Sequence, residues 1–167
     1  MVKRSDIYTD LRGRTIPLSD LDDEERALVD RLRERAAEGP EWNEFESYWW
    51  REVAKLYDGR GVPRSESSQS PVYRIAKDLG SRLAIDAGMA REPDYRDELA
   101  DLIRRQFKTR REFCEATGLS EDMLSHVLAR RKHLSIDALQ QALSRIGCAL
   151  RIAPIEPAKR PGRRVAG

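Results

Sequence analysis

Apolar side chains recur every three or four positions through most of this chain, which is the spacing of one face of an α-helix. The first run begins near Ser19 or Asp20, either of which can cap a helix. Two further runs follow, each opened by a proline, a residue that suits the first turn of a helix. The pattern predicts a three-helix unit over residues 19–93, preceded by an irregular arm over residues 1–18.

The second of these helices carries a stripe of aromatic side chains. Trp42, Phe45 and Trp49 fall on one face, and Trp50 lies beside them. Aromatic residues at helical spacing are usual in the core of a small helical unit, so we interpret the stripe as core. A ligand pocket lined by Trp42 and Trp49 is the alternative. Neighbours on a helix point about 100° apart, so Trp49 and Trp50 are both buried only if this helix is covered on two sides.

The second half of the chain has a different order of predicted elements. A fourth helix is followed, over residues 109–152, by a helix, a tight turn, a helix, a loop, a helix and a short strand. Gly118 lies in the tight turn, where the backbone needs a positive φ that glycine adopts without strain. The pattern predicts one domain over residues 94–155, with its strand at residues 148–152, and a disordered basic tail over residues 156–167.

Charge is distributed unevenly between the two halves. Residues 1–95 carry 16 basic and 20 acidic side chains, a net charge of −4, whereas residues 96–167 carry 15 basic and 9 acidic, a net charge of +6. A positive half favours a polyanionic partner for that half of the chain. An uneven spread of surface charge without a function is the alternative.

Several classes of protein are disfavoured by the composition. No apolar run approaches the ~18 residues of a membrane helix, so we expect no membrane contact. Cys114 and Cys148 belong to no metal-binding pattern and are expected as core thiols, which favours a cytoplasmic location. His126 and His133 lack the spacing of a metal site or a catalytic triad. We therefore expect no enzyme activity, metal or cofactor.

Residues 98–152 resemble the helix-turn-helix domain of the XRE/Cro (lambda-repressor-like) regulators. The resemblance covers about a third of the chain. It is carried by five residues together, which are Gly118, Leu119, Ser120, Leu124 and Ser125. The closing order of helix, Gly-Cys and strand is similar to antitoxins of bacterial toxin–antitoxin pairs built on this domain. The fold expected for the whole chain is all-α, with an N-terminal three-helix unit and a C-terminal helix-turn-helix domain that ends in a short strand.

The resemblance implies a DNA-binding face. Residues 121–130 would form the recognition helix in the major groove of double-stranded DNA. The polar side chains that the family places toward DNA correspond here to Arg110, Glu121, Asp122, Ser125 and His126. The basic run Arg130, Arg131 and Lys132 replaces a loop that usually contains glycine and would contact phosphates.

Glu121 and Asp122 admit two interpretations. Either one of them accepts a hydrogen bond from cytosine N4 in the groove, or both only favour the positive N-terminal end of the helix. The function expected is sequence-specific DNA binding by a bacterial transcriptional regulator, which acts as a homodimer because such domains read half-sites. The alternative is an antitoxin-type module that binds a toxin through its N-terminal helices and regulates its own synthesis through DNA. A ligand sensor that uses the aromatic stripe is a third hypothesis.

Overall fold

The computed structural model describes residues 6–152 and divides them into two units, residues 6–92 and residues 93–152. The described chain is mostly helical, which confirms the all-α class, and its single sheet has two short strands. Unit 1 contains β1 (Ile7–Thr9), β2 (Thr15–Pro17), α1 (Asp23–Ala37), α2 (Trp42–Gly59), α3 (Arg64–Ser67) and α4 (Pro71–Asp86). Unit 2 contains α5 (Tyr95–Gln106), α6 (Arg110–Thr117), α7 (Glu121–Leu128) and α8 (Ile136–Arg145).

The expected irregular arm over residues 1–18 is wrong for the part that the structure describes. β1 and β2 pair antiparallel, with Tyr8 opposite Ile16, and both of these side chains are buried. The Asp10 carboxylate accepts hydrogen bonds from the amides of Arg12 and Arg14 and so closes the connection between the strands. Strands of three residues are too short to show an alternating pattern, which is why the sequence did not reveal them.

The hairpin is attached to α4 by a cluster of polar side chains. Asp78 accepts hydrogen bonds from the Tyr8 hydroxyl at 2.6 Å, from the Leu11 amide at 2.8 Å and from Arg82 Nε at 2.8 Å. Arg82 also donates to the carbonyl of Thr9. Burial, together with the neighbouring Asp78 carboxylate, raises the pKa of Tyr8 well above its usual range, so its hydroxyl keeps its proton.

Helix α1 begins later than the sequence indicates. Leu18–Asp20 form a single 3-10 turn, and the cap is Asp22, which accepts from the Glu25 amide while the Glu25 carboxylate accepts from the Asp22 amide. This capping box satisfies two amides that the first helical turn leaves without partners. Hydrogen bonds from Arg60 lower the pKa of Asp22 to about 2, so the capping carboxylate stays charged at neutral pH.

The aromatic stripe of α2 forms part of the unit 1 core. Phe45 and Trp49 are fully buried, whereas Trp50 keeps 36% of its surface exposed. The two indole rings stack with their centroids 4.8 Å apart, and both meet the edge of Tyr73. Gly80 of α4 faces α2, where a Cβ would meet the flexible end of the Glu46 side chain and would lie 3.4 Å from Trp49 Nε1. The remaining large buried side chains of this core include Leu28, Val29, Leu32, Val53, Val72 and Ile75.

Unit 2 is built around a core from three of its four helices. The buried side chains of this core are Leu99, Ile103, Phe113, Cys114 and Leu124. Helix α6 lies against both α7 and α8, and α5 lies against α7. Thr109, Ser120 and Ser135 cap α6, α7 and α8, and each side chain accepts a hydrogen bond from the amide of the third residue that follows.

The expected strand at residues 148–152 is wrong, because the structure assigns no strand there. A strand needs a hydrogen-bonding neighbour, and the sheet of the described residues consists of β1 and β2 alone. Ile136, although apolar, is 71% exposed. It is the first residue of α8, and the buried stripe of that helix starts only at Leu139.

Among the described residues, no helix combines the length and the apolar character that crossing a membrane requires.

Candidate nucleic-acid interface

A short turn holds α6 and α7 together. Gly118 ends α6 with φ at +78°, and its amide donates to the Cys114 carbonyl at 2.8 Å. The preceding carbonyl, that of Thr117, accepts a hydrogen bond from Arg145 Nη1 at 3.0 Å. Ser120 then caps α7 by accepting from the Met123 amide. The turn therefore depends on the positive φ that glycine adopts at position 118 and on the hydrogen bond from Arg145 of α8.

Helix α7 has a buried side and an exposed side. Leu124 and Val127 are fully buried in unit 2. Glu121, Asp122 and Ser125 are exposed, with 65% of the Glu121 side chain and 84% of the Asp122 side chain accessible. The exposed side of α7 thus presents short polar groups, two of which are carboxylates.

His126 is less accessible than the other polar side chains on the predicted DNA side of α7, which are Glu121, Asp122 and Ser125. Its side chain is 29% exposed, and its Nε2 lies 3.6 Å from the Asp122 carboxylate one turn earlier. Its Nδ1 is buried and has no hydrogen-bond partner within the part of the chain that the structure describes. The structure therefore places His126 at the edge of the exposed face.

Two arginines begin α6 beside this face. Arg110 is the first residue of the helix and is exposed, as predicted for a side chain that faces DNA. Arg111 Nε lies 3.0 Å from the Glu115 carboxylate and 4.0 Å from that of Glu121. Sequence reasoning missed Arg111, although its place directly after Arg110 was a usable signal. Its charge offsets part of the negative charge at the start of α7.

The basic run after α7 divides into two kinds of residue. Arg131 and Lys132 are exposed, and their amides both donate to the His126 carbonyl, at 2.9 and 3.2 Å. Arg130 is only 23% exposed. Its Nη1 lies 2.5 Å from Asp94 Oδ2, and its Nη2 lies 2.7 Å from Asp97 Oδ2. The sequence treats the three residues alike, whereas the structure gives Arg130 two carboxylate partners within the protein.

The Asp94 carboxylate beside Arg130 is held in its charged form. Asp94 caps α5, and the guanidinium of Arg96 lies 2.7 Å from its Oδ2. Hydrogen bonds from Arg96, with the charge of Arg130 close by, hold the pKa of Asp94 well below its usual range. Arg130 therefore faces an Asp94 carboxylate that is ionised at neutral pH.

The described residues from 96 onward carry only a small net positive charge. Residues 96–152 carry 11 basic and 8 acidic side chains, and the rest of the positive surplus belongs to residues 153–167, outside the described residues. No cluster of His, Cys, Asp and Glu within the described chain has the arrangement of a metal site. The chemistry that this surface offers is hydrogen bonding from α7 flanked by cations from α6 and from the loop.

Comparison with known protein families, with characterised proteins and with solved structures finds no match to this chain. Any assignment of function therefore depends on the geometry of the chain itself.

Proposed function

We propose that this protein binds double-stranded DNA through unit 2, as a transcriptional regulator of the XRE/Cro type. The observation that supports the proposal is the exposed polar side of α7, held against α6 by a glycine turn and flanked by exposed basic side chains. A helix of eight residues is about 12 Å long, which suits a major groove about 12 Å wide. This arrangement is typical of a helix that enters the groove beside a second helix that crosses the backbone.

The side chains divide into two groups in this proposal. Ser125 reaches base edges from the middle of α7, and Glu121 or Asp122 accepts from cytosine N4. Arg131 and Lys132 contact phosphates, which adds affinity without sequence information.

Arg110 has a different position in the complex, because it precedes the turn. It lies at the start of α6, where it reaches a phosphate or the O6 and N7 atoms of guanine. We exclude Arg130 from the phosphate contacts, because both ends of its guanidinium already bind carboxylates.

The protein acts as a homodimer in this proposal. A single α7 reads only a few base pairs, and proteins with this arrangement reach useful specificity by binding two half-sites about one helical turn apart.

The experiment compares two variants that lose the same charge. In the first, Arg131→Ala is combined with Lys132→Ala. In the control, Arg51→Ala is combined with Lys55→Ala, two exposed positions on α2 of unit 1. Binding to several unrelated duplexes is measured by fluorescence anisotropy at a series of salt concentrations.

The variant in unit 2 should bind every duplex more weakly, and the slope of log K against log salt should become shallower by about two units per chain. The control should keep the slope of the unmodified protein. Equal slopes for the two variants would contradict the placement of the interface in unit 2.

A further inference from the structure

Arg130 has a backbone conformation that is unusual for its residue type. Its φ is +60°, and it is the one residue other than glycine with a positive φ in the described chain. L-residues with a Cβ adopt this region at a cost in free energy, and a residue held there usually has a compensating interaction. The compensation is visible, because both terminal nitrogens of the Arg130 side chain bind carboxylates of α5.

The loop after α7 is attached to α5 at a second point. The Leu134 amide donates to the Tyr95 hydroxyl at 3.0 Å. Residues 130–134 are therefore held at their first and last positions by the N-terminal end of α5, through its cap Asp94 and the first-turn residues Tyr95 and Asp97. The five residues that make these contacts are Asp94, Tyr95, Asp97, Arg130 and Leu134. We call them the loop clamp.

The exposed cations Arg131 and Lys132 lie between the two attachment points. The Arg131 and Lys132 amides are fixed on the His126 carbonyl, so their side chains project from a segment whose backbone is held on both sides. A segment ordered before binding loses less conformational entropy on binding than a mobile one.

We infer that Asp94, Tyr95 and Asp97 are positioning residues, which hold the loop so that Arg131 and Lys132 meet the DNA backbone without prior ordering. This inference rests on the proposed function. It assigns to two acidic residues of α5 a role that favours the binding of a polyanion.

The sign of the effect separates this inference from simple electrostatics. Removal of a carboxylate near DNA reduces repulsion and tightens binding when the charge acts only through its field. When the carboxylate positions the loop, its removal weakens binding. Asp97→Asn should therefore weaken duplex binding several-fold, whereas Asp137→Asn, the same change in the first turn of α8, should leave it equal or slightly tighter.

Three companion variants test the inference in other ways. Tyr95→Phe removes only the acceptor of the Leu134 amide and should weaken binding without a change of charge. Arg130→Gly removes the contacts with Asp94 and Asp97 while it keeps a residue suited to φ at +60°. It should weaken binding with the salt slope unchanged, since Arg130 contacts no phosphate. Asp97→Glu keeps the charge and should bind duplexes more tightly than Asp97→Asn.

Amide hydrogen exchange in the protein without DNA supplies an independent measurement. In Asp97→Asn, Tyr95→Phe and Arg130→Gly, the amides of Arg131, Lys132 and Leu134 should exchange faster, while those of buried Leu124 and Val127 keep their protection. This pattern would distinguish loss of loop order from general destabilisation of unit 2.

The possible failures are distinguishable. The inference would be overturned if the Asp97→Asn variant bound duplexes as tightly as the unmodified protein, or more tightly. Unchanged exchange of the loop amides would also overturn it, and so would a salt slope that falls by about one unit in Arg130→Gly, because that change marks a phosphate contact. Absence of duplex binding by the unmodified protein would overturn the proposed function itself, together with the role of the clamp in DNA binding.

Discussion

At the scale of single residues, Gly118 has the clearest structural role in unit 2. Its φ of +78° lies in the region that L-residues with a Cβ avoid, and a Cβ there would also collide with Arg145 Nη1. Gly147 has a similar φ, +72°, but a Cβ there would meet no atom within 4 Å. The two glycines therefore share the same backbone requirement and differ in their surroundings.

The pair yields a matched prediction for stability. Gly147→Ala should destabilise unit 2 by about 1–2 kcal/mol, the cost of a left-handed residue with a Cβ. Gly118→Ala should cost about 1 kcal/mol more, because Arg145 must also leave the Thr117 carbonyl. Denaturant unfolding followed by far-UV circular dichroism measures both. Equal losses in the two variants would show that the contact with Arg145 contributes nothing.

Local residue roles were largely predictable, whereas distant partners were not. The positive φ of Gly118 and the cap at Ser120 follow from residue types within a few positions of each other. The pairing of Arg130 with Asp94 and Asp97 joins residues 33 to 36 positions apart. No local pattern marks such a pair, so Arg130 was grouped with its basic neighbours.

At the scale of elements, helices were easier to predict than strands. The long helices of both units bury apolar stripes that are visible in the sequence, since each stripe spans several turns. The hairpin of β1 and β2 was missed because each strand has three residues. The strand at residues 148–152 is predicted from a short apolar stretch after the last helix, and such a local pattern supplies no partner strand.

The junction of α5 with the loop after α7 should be sensitive to acid. The pKa of Asp94 lies below its ordinary value of 3.8 in the folded protein, so this group adds stability above that value. The added stability is lost as the pH falls through 3.8 toward the folded pKa. Asp94→Asn removes the charge but keeps a residue that caps a helix equally well.

The sensitivity to acid can be measured by comparing the thermal melting curves of Asp94→Asn and of the unmodified protein. At pH 7, Asp94→Asn should lower the melting temperature of unit 2, and the gap to the unmodified protein should narrow steadily below about pH 4. All three tryptophans, Trp42, Trp49 and Trp50, belong to unit 1. Tryptophan fluorescence should therefore be unchanged, while far-UV circular dichroism reports the loss. A gap that stays constant down to pH 2 would contradict the charge-based account of this junction.

At the scale of the whole molecule, the two units differ in the kind of surface they present. Unit 1 buries Phe45 and Trp49 in its core and fixes its hairpin through Asp78. Unit 2 leaves the polar side of α7 and the basic side chains beside it exposed. The sequence already shows a first half rich in aromatic residues and a second half with a net positive charge, but the contribution of residues 153–167 to that charge lies outside the described residues.

The salt dependence of duplex binding by the unmodified protein tests the central claim most directly. The protein is titrated into a labelled duplex of arbitrary sequence, and log K is plotted against log salt. With Arg110, Arg131 and Lys132 on phosphates, the slope should be about −3 per chain, and about twice that for a dimer. A flat plot, or no binding at low salt, would contradict the assignment of unit 2 as a DNA-binding surface.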